Sequence, residues 1–163
     1  ATSGAPSLNR DRMTPHLILA ALMTKWPMHK NTHLTRAQWA TLGLLSIAYA
    51  FVGGSHVMQP DGFIAITPKW VPFPKDVVFW TGIAEIAGAI GLFIPRVRRA
   101  AAIGLALYAL CVWPANINHA INGIAIGGKV AGLGYHIPRL LFQPVLIWAP
   151  LWAAGIVRWP FRP

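Results

Sequence analysis

Read for hydrophobic and polar positions, the chain divides into four long apolar stretches separated by short polar or proline-rich ones. Residues 37–60 contain no Lys, Arg, Asp or Glu; residues 76–94 carry only Glu85 between their ends; residues 100–128 and 140–157 again carry none. Each reaches or approaches the roughly 17–25 residues that a helix needs to cross about 30 Å of hydrocarbon. No apolar-polar alternation of period two marks barrel strands, and backbone groups in lipid must be satisfied within their own segment, so the pattern predicts helices. The expected spans are residues 38–57, 77–94, 100–121 and 139–157. The predicted fold is therefore all-α, an integral membrane four-helix bundle over residues 37–163, preceded by an N-terminal arm or interfacial segment over residues 1–36. In that arm the seven-residue apolar run from Leu17 to Met23 is too short to span and is followed by Lys25 and Trp26, as in a helix lying at the headgroup level.

Composition agrees with the pattern. Of 163 residues 55% are hydrophobic and only 11% charged, with a mean hydropathy of +0.50, a balance uncommon in water-soluble domains. The net charge of +10 raises the question of nucleic acid, but the charges are spread over three separate segments, which makes a poor nucleic-acid footprint. Their placement gives topology instead. Ten of the fourteen Lys and Arg precede the first span, lie at 96–99 or follow the fourth, and Lys69, Lys75, Lys129 and Arg139 make up the other four. Positive residues stay on the side that is not translocated, so both termini are expected on the cytoplasmic side of a bacterial inner membrane, or the matrix or stromal side of a mitochondrial or plastid one. Lipid headgroups are natural partners for such a basic face. The lone Cys111 excludes an intrachain disulfide and a C-x-x-C redox pair; in mid-span it reads as a small apolar filler.

The connection between the first two spans holds Pro60, Pro68, Pro72 and Pro74 around Trp70 and Phe73. Proline lacks a donor and pushes its predecessor toward extended geometry, so this stretch is expected to lie along the outer interface and cap the bundle, its aromatics anchoring in the headgroup belt.

The polar residues inside the spans are the candidate site. An ionisable side chain within a membrane helix costs a few kcal/mol and turns toward a bundle interior or a polar cavity. His56 ends the first span, Glu85 sits in the second, Asn116 and His119 are one turn apart on the third, and Arg139 and Gln143 are one turn apart on the fourth. All four spans thus contribute to one polar layer, in which Glu85 is expected to meet Arg139 or His56. Small-residue pairs at Ala50/Gly54, Ala84/Gly88 and Ala87/Gly91 are expected to let the backbones approach. The layer either fixes helix packing or holds a ligand. His56 and His119 are the two histidines on different spans at matching depth, yet both lie near helix ends beside charges, and no metal-ligand spacing repeats, so neither haem nor a metal is expected.

Several motifs occur in a characteristic order: Gly53-Gly54-Ser55-His56, the Ile66-Thr67-Pro68-Lys69-Trp70-Val71-Pro72-Phe73-Pro74 loop, Thr81-Gly82-Ile83-Ala84-Glu85-Ile86, Phe93-Ile94-Pro95-Arg96 with Arg98-Arg99, Pro114-Ala115-Asn116, and Arg139 with Gln143. In this order and spacing the chain resembles the DoxX/DoxD-like family of small four-helix membrane proteins over about residues 38–152. The resemblance implies a four-span bundle and, as in the family's namesakes, association as a small subunit with quinone-linked redox complexes. Three readings follow. The first is an accessory, non-catalytic subunit of a larger respiratory or photosynthetic membrane complex, packed against other integral membrane subunits and holding quinone or lipid. The second is a quinone-linked oxidoreductase subunit that uses the polar site around Glu85. The third, a small transporter or channel, is weakened by the absence of an inverted repeat. No nucleotide, flavin or cluster motif is present, so no resident cofactor and no catalysis by the chain alone are expected.

Overall fold

The computed structural model describes residues 34–159. The expected N-terminal arm falls outside them except for its last three residues. Among the described residues are five helices, α1 (Arg36–Met58), α2 (Asp61–Ile66), α3 (Pro74–Gly91), α4 (Arg98–Asn122) and α5 (Leu133–Ala153), with a two-residue antiparallel hairpin, β1 (Ala125–Ile126) and β2 (Lys129–Val130), between α4 and α5. The fold is all-α, as the apolar pattern requires. The four long helices pack in a closed ring, α1 against α3, α3 against α4, α4 against α5 and α5 back against α1, while the short α2 touches α3 and α4.

The ends of these helices follow local chemistry. Thr35 caps α1: its hydroxyl accepts from the Gln38 amide at 3.2 Å, and the Thr35 amide donates to Gln38 Oε1 at 2.9 Å, a capping box. Gln38 Nε2 also donates to the Trp152 carbonyl, tying the start of α1 to the end of α5. Pro74 opens α3, where its missing N–H costs nothing. Arg98 Nε donates to the Leu92 carbonyl at 2.7 Å, satisfying an orphan acceptor at the end of α3, and its guanidinium lies over Trp39, 4.9 Å from the ring centre.

Two boundaries differ from expectation. The helix of the fourth expected span, α5, begins at Leu133, not at 139, and Pro138 is accommodated inside it. Charge had set the expected start at Arg139, whereas the helix is delimited by Gly132 and the Gly127-Gly128 hairpin turn, both turn glycines having positive φ. The proline-rich connection is also more ordered than a loop, since α2 forms within it; Asn118 Nδ2 on α4 holds it down through the Ile66 carbonyl at 2.8 Å.

The bundle interior is divided along its length. An apolar core of Leu42, Leu45, Tyr49, Ala89, Leu92, Ala102, Leu105, Ala149 and Ala153 fills the end where α1 and α4 begin and α3 and α5 finish. Polar residues take the same inward stripes toward the other end. By length and composition α1 and α4 can cross a membrane. Outward positions on all four long helices are apolar: Leu44, Ile47 and Phe51 on α1 are more than 70% exposed, and Trp80, Leu107 and Leu141 stand out from the other three.

Candidate functional site

Inward positions at helical spacing place the site. On α1 the buried stripe runs Leu42, Leu45, Ser46, Tyr49, Gly53 and His56; on α3 it runs Val78, Gly82, Glu85 and Ala89. On α4 it continues from Ala109 to Asn116 and His119, and on α5 from His136 to Gln143. Continuing those stripes past the apolar core gives a polar end without changing any helix's rotation.

The contact between α1 and α3 is unusually close, and it positions the acidic group. A Cβ added to Gly53 would lie 2.7 Å from the Gly82 carbonyl oxygen, and one added to Gly82 would lie 2.7 Å from His56 Cβ. Only glycine at both positions permits this crossing. Gly54, expected to serve as the contact, has nothing within 4 Å of its would-be Cβ, and its neighbour Gly53 takes the role. Gly88 and Gly91 do pack, against Leu105 and Ala101, but Ala84 and Ala87 face outward. Ser46 Oγ adds a buried hydrogen bond to the Ala89 carbonyl at 2.9 Å, fixing the register of the same helix pair.

One helical turn beyond Gly53, His56 Nδ1 lies 2.8 Å from Glu85 Oε2, with both residues buried. Of the two partners expected for Glu85, the structure selects His56. Tyr49 and Tyr108 line the same cavity as Glu85. The Phe63 ring of α2 stands edge-on to the His56 imidazole, with centroids 3.9 Å apart.

On the opposite wall, Asn116 Nδ2 donates to Gln143 Oε1 at 3.0 Å, and Gln143 Nε2 donates to the Ala109 carbonyl. This chain crosses between α4 and α5 and satisfies both amides, as buried polar groups require. Arg139 Nη1 lies 3.0 Å from His119 Nδ1. Guanidinium can only donate, so His119 accepts at Nδ1 and carries its proton on Nε2, which has no hydrogen-bond partner. The guanidinium also stacks on Tyr135. Arg139 has no carboxylate partner among the described residues, where the ion pair found is His56–Glu85.

Between these walls lies a cavity of about 480 Å³. His56, Glu85, Asn116, Arg139 and Gln143 all line it; His119 does not, and reaches it only through Arg139. The remaining walls are mainly apolar, and Phe63, Ile66, Pro68, Trp70 and Val71 roof it. The proline-rich connection is thus part of a pocket as well as a cap. Cys111 is exposed on α4 and borders the cavity, so it is not a buried filler.

Three residues of this region, Tyr49 and His136 buried and Tyr108 partly so, were not anticipated. Tyr49 lies seven residues before His56 on the same stripe, and its hydroxyl has no partner. Tyr108 adjoins the inward Ala109. His136, seven before Gln143, donates through Nε2 to the Ala131 carbonyl at 3.1 Å and packs edge-on against His119, ring centres 4.7 Å apart. Seven-residue spacing was the available signal for Tyr49 and His136. An unmatched buried hydroxyl such as that of Tyr49 costs about 1–3 kcal/mol. Among the described residues no group of three or more His, Cys, Asp or Glu is arranged to hold a metal.

Residues 45–155 match the family DUF8561, a domain of unknown function, and the chain belongs to that family. No curated protein and no solved structure matches it.

Proposed function

Proceeding from membership of a family without an assigned activity, we propose that this protein is a four-span integral membrane subunit whose cavity holds a quinone or a lipid, and that it serves as an accessory component of a larger membrane redox complex. The observation that carries the reading is the cavity: about 480 Å³, apolar along most of its wall, with the His56–Glu85 pair and Arg139 on it. Such a site suits an amphipathic molecule, because apolar walls take the tail while a few placed polar groups fix the head.

The membrane assignment is supported by the outward apolar side chains of all four long helices, which in water would form patches far beyond those of a monomeric soluble protein. Glu85 on α3 and His136, Arg139 and Gln143 on α5 are wholly or partly buried in the bundle interior. A bilayer would therefore meet mainly their apolar faces. The ten-to-four distribution of Lys and Arg supports an orientation with both ends on the non-translocated side. The motif order that resembles DoxX/DoxD-like proteins supports the quinone-linked setting.

Gentle detergent extraction followed by mass spectrometry of the intact assembly tests the proposal. A stoichiometric integral membrane partner and a retained quinone or lipid are expected. A monodisperse chain without partner or ligand would refute it. The buried His–Glu pair on the cavity wall also favours a second reading, direct participation in quinol chemistry, which turnover of a quinol by the isolated chain would establish.

A further inference from the structure

Most polar side chains on the cavity wall have their hydrogen bonds committed within the protein. The Ser55, Thr67 and Thr81 hydroxyls donate to the Phe51, Phe63 and Val78 carbonyls of their own segments. Asn116 donates to Gln143, and Gln143 to the Ala109 carbonyl. His56 and Glu85 face each other at 2.8 Å. Arg139 differs from all of these. Its guanidinium is always charged and carries five N–H donors with no acceptor. Nη1 meets His119 Nδ1 at 3.0 Å, and the guanidinium carbon lies 5.5 Å from the centre of the Tyr135 ring on which it stacks. Those two contacts fix the group in place, and neither supplies a negative charge. Nε and Nη2 have no hydrogen-bond partner among the described residues and are not enclosed by protein. A half-buried cation therefore borders the cavity with donors to spare. In a bilayer such a group turns to a polar partner, because hydrocarbon offers none.

We propose that Arg139 grips the head of the cavity's ligand, and that this head presents an oxygen acceptor, a quinone carbonyl or a lipid phosphate oxygen. The inference deepens the proposed ligand-holding role and rests on it. A guanidinium donates to either kind of oxygen, and its planar fork can engage two at once. A cationic head would be repelled at Arg139, and an oxygen-free head would leave the donors unmatched. On α5 the wall of the cavity passes from Arg139 to Phe142 and Leu146, three and seven residues on. A head held at Arg139 thus sets its tail along an apolar wall.

The test uses the full chain in detergent and reads dissociation constants from ligand-dependent shifts of the thermal unfolding midpoint. Two probe pairs differ in the acceptor at the head: decyl-1,4-benzoquinone against decylbenzene, and a phosphatidylglycerol against the diacylglycerol of the same chains. In at least one pair the member with the acceptor is expected to bind roughly tenfold more tightly, the worth of one hydrogen bond to a charged group. The pair that shows it identifies the head as carbonyl or phosphate. Arg139→Gln keeps a donor for His119 and removes the charge, so the ratio should fall severalfold while the other member of the pair binds as before. Arg139→Lys keeps the charge without the fork, and its ratio should lie between those of the native chain and Arg139→Gln. No preference in either pair, or a ratio unchanged in Arg139→Gln, would overturn the inference while leaving the cavity an apolar site. Binding of none of the four probes would overturn the ligand-holding role as well.

Discussion

Replacing Gly53 with Ala tests whether the crossing of α1 and α3 creates the His56–Glu85 pair. The new Cβ would lie 2.7 Å from the Gly82 carbonyl oxygen, 2.9 Å from Glu85 Cβ and 3.0 Å from Ile86 Cγ1. Carbon–oxygen contacts relax to about 3.3 Å, so the two helices must part by about 0.6 Å. The same displacement would carry His56 Nδ1 and Glu85 Oε2 from 2.8 Å to about 3.4 Å, weakening their electrostatic contact. Overpacking of this kind costs about 1–3 kcal/mol, and weakening the pair adds about 1 kcal/mol. Gly54→Ala is the control, because nothing lies within 4 Å of its Cβ. Both changes gain the same helix propensity, about 1 kcal/mol, which cancels between them. The difference should therefore be about 2–4 kcal/mol, or roughly 6–12 °C in the midpoint of thermal unfolding for a chain of this size. Thermal denaturation of the two variants in the same detergent measures it. Equal midpoints would mean that the close crossing does not govern the pair.

Glu85→Gln keeps a polar group beside His56 and should accumulate in the membrane as the native chain does, whereas Glu85→Leu takes the polar partner away from a buried imidazole and should lose about 1–3 kcal/mol of stability; matched losses in quantitative membrane blots would contradict this. Gln143→Leu and Asn116→Leu each leave an amide unpaired, so the double variant should be less destabilised than the sum of the two. Strict additivity in unfolding midpoints would show that the hydrogen bond between them contributes nothing. Reporters fused at both ends and in the Arg96–Arg99 connection should all report the same, non-translocated side, and a translocated C-terminus would eliminate the four-span topology.

The sequence by itself determined the helices and the set of polar residues. Uncharged stretches bounded by Arg, Lys and Pro locate an all-α fold to within a few residues at most ends, because apolar runs and helix breakers act locally. Five of the six polar residues singled out by their place within spans line one cavity, since an ionisable group in an apolar helix has few places to go except inward. What the sequence left open were questions of rotation and partner. Gly53 and Gly54 are consecutive and chemically identical, and only the packed α1–α3 pair decides which one, about 100° around the helix from the other, faces Gly82. Likewise the choice of His56 over Arg139 as the partner of Glu85, the use of Arg139 by His119, and the burial of Tyr49 with an unmatched hydroxyl depend on which helix neighbours which. Those are distances between residues far apart in the chain, and local periodicity carries the face of a helix but not the identity of what it meets.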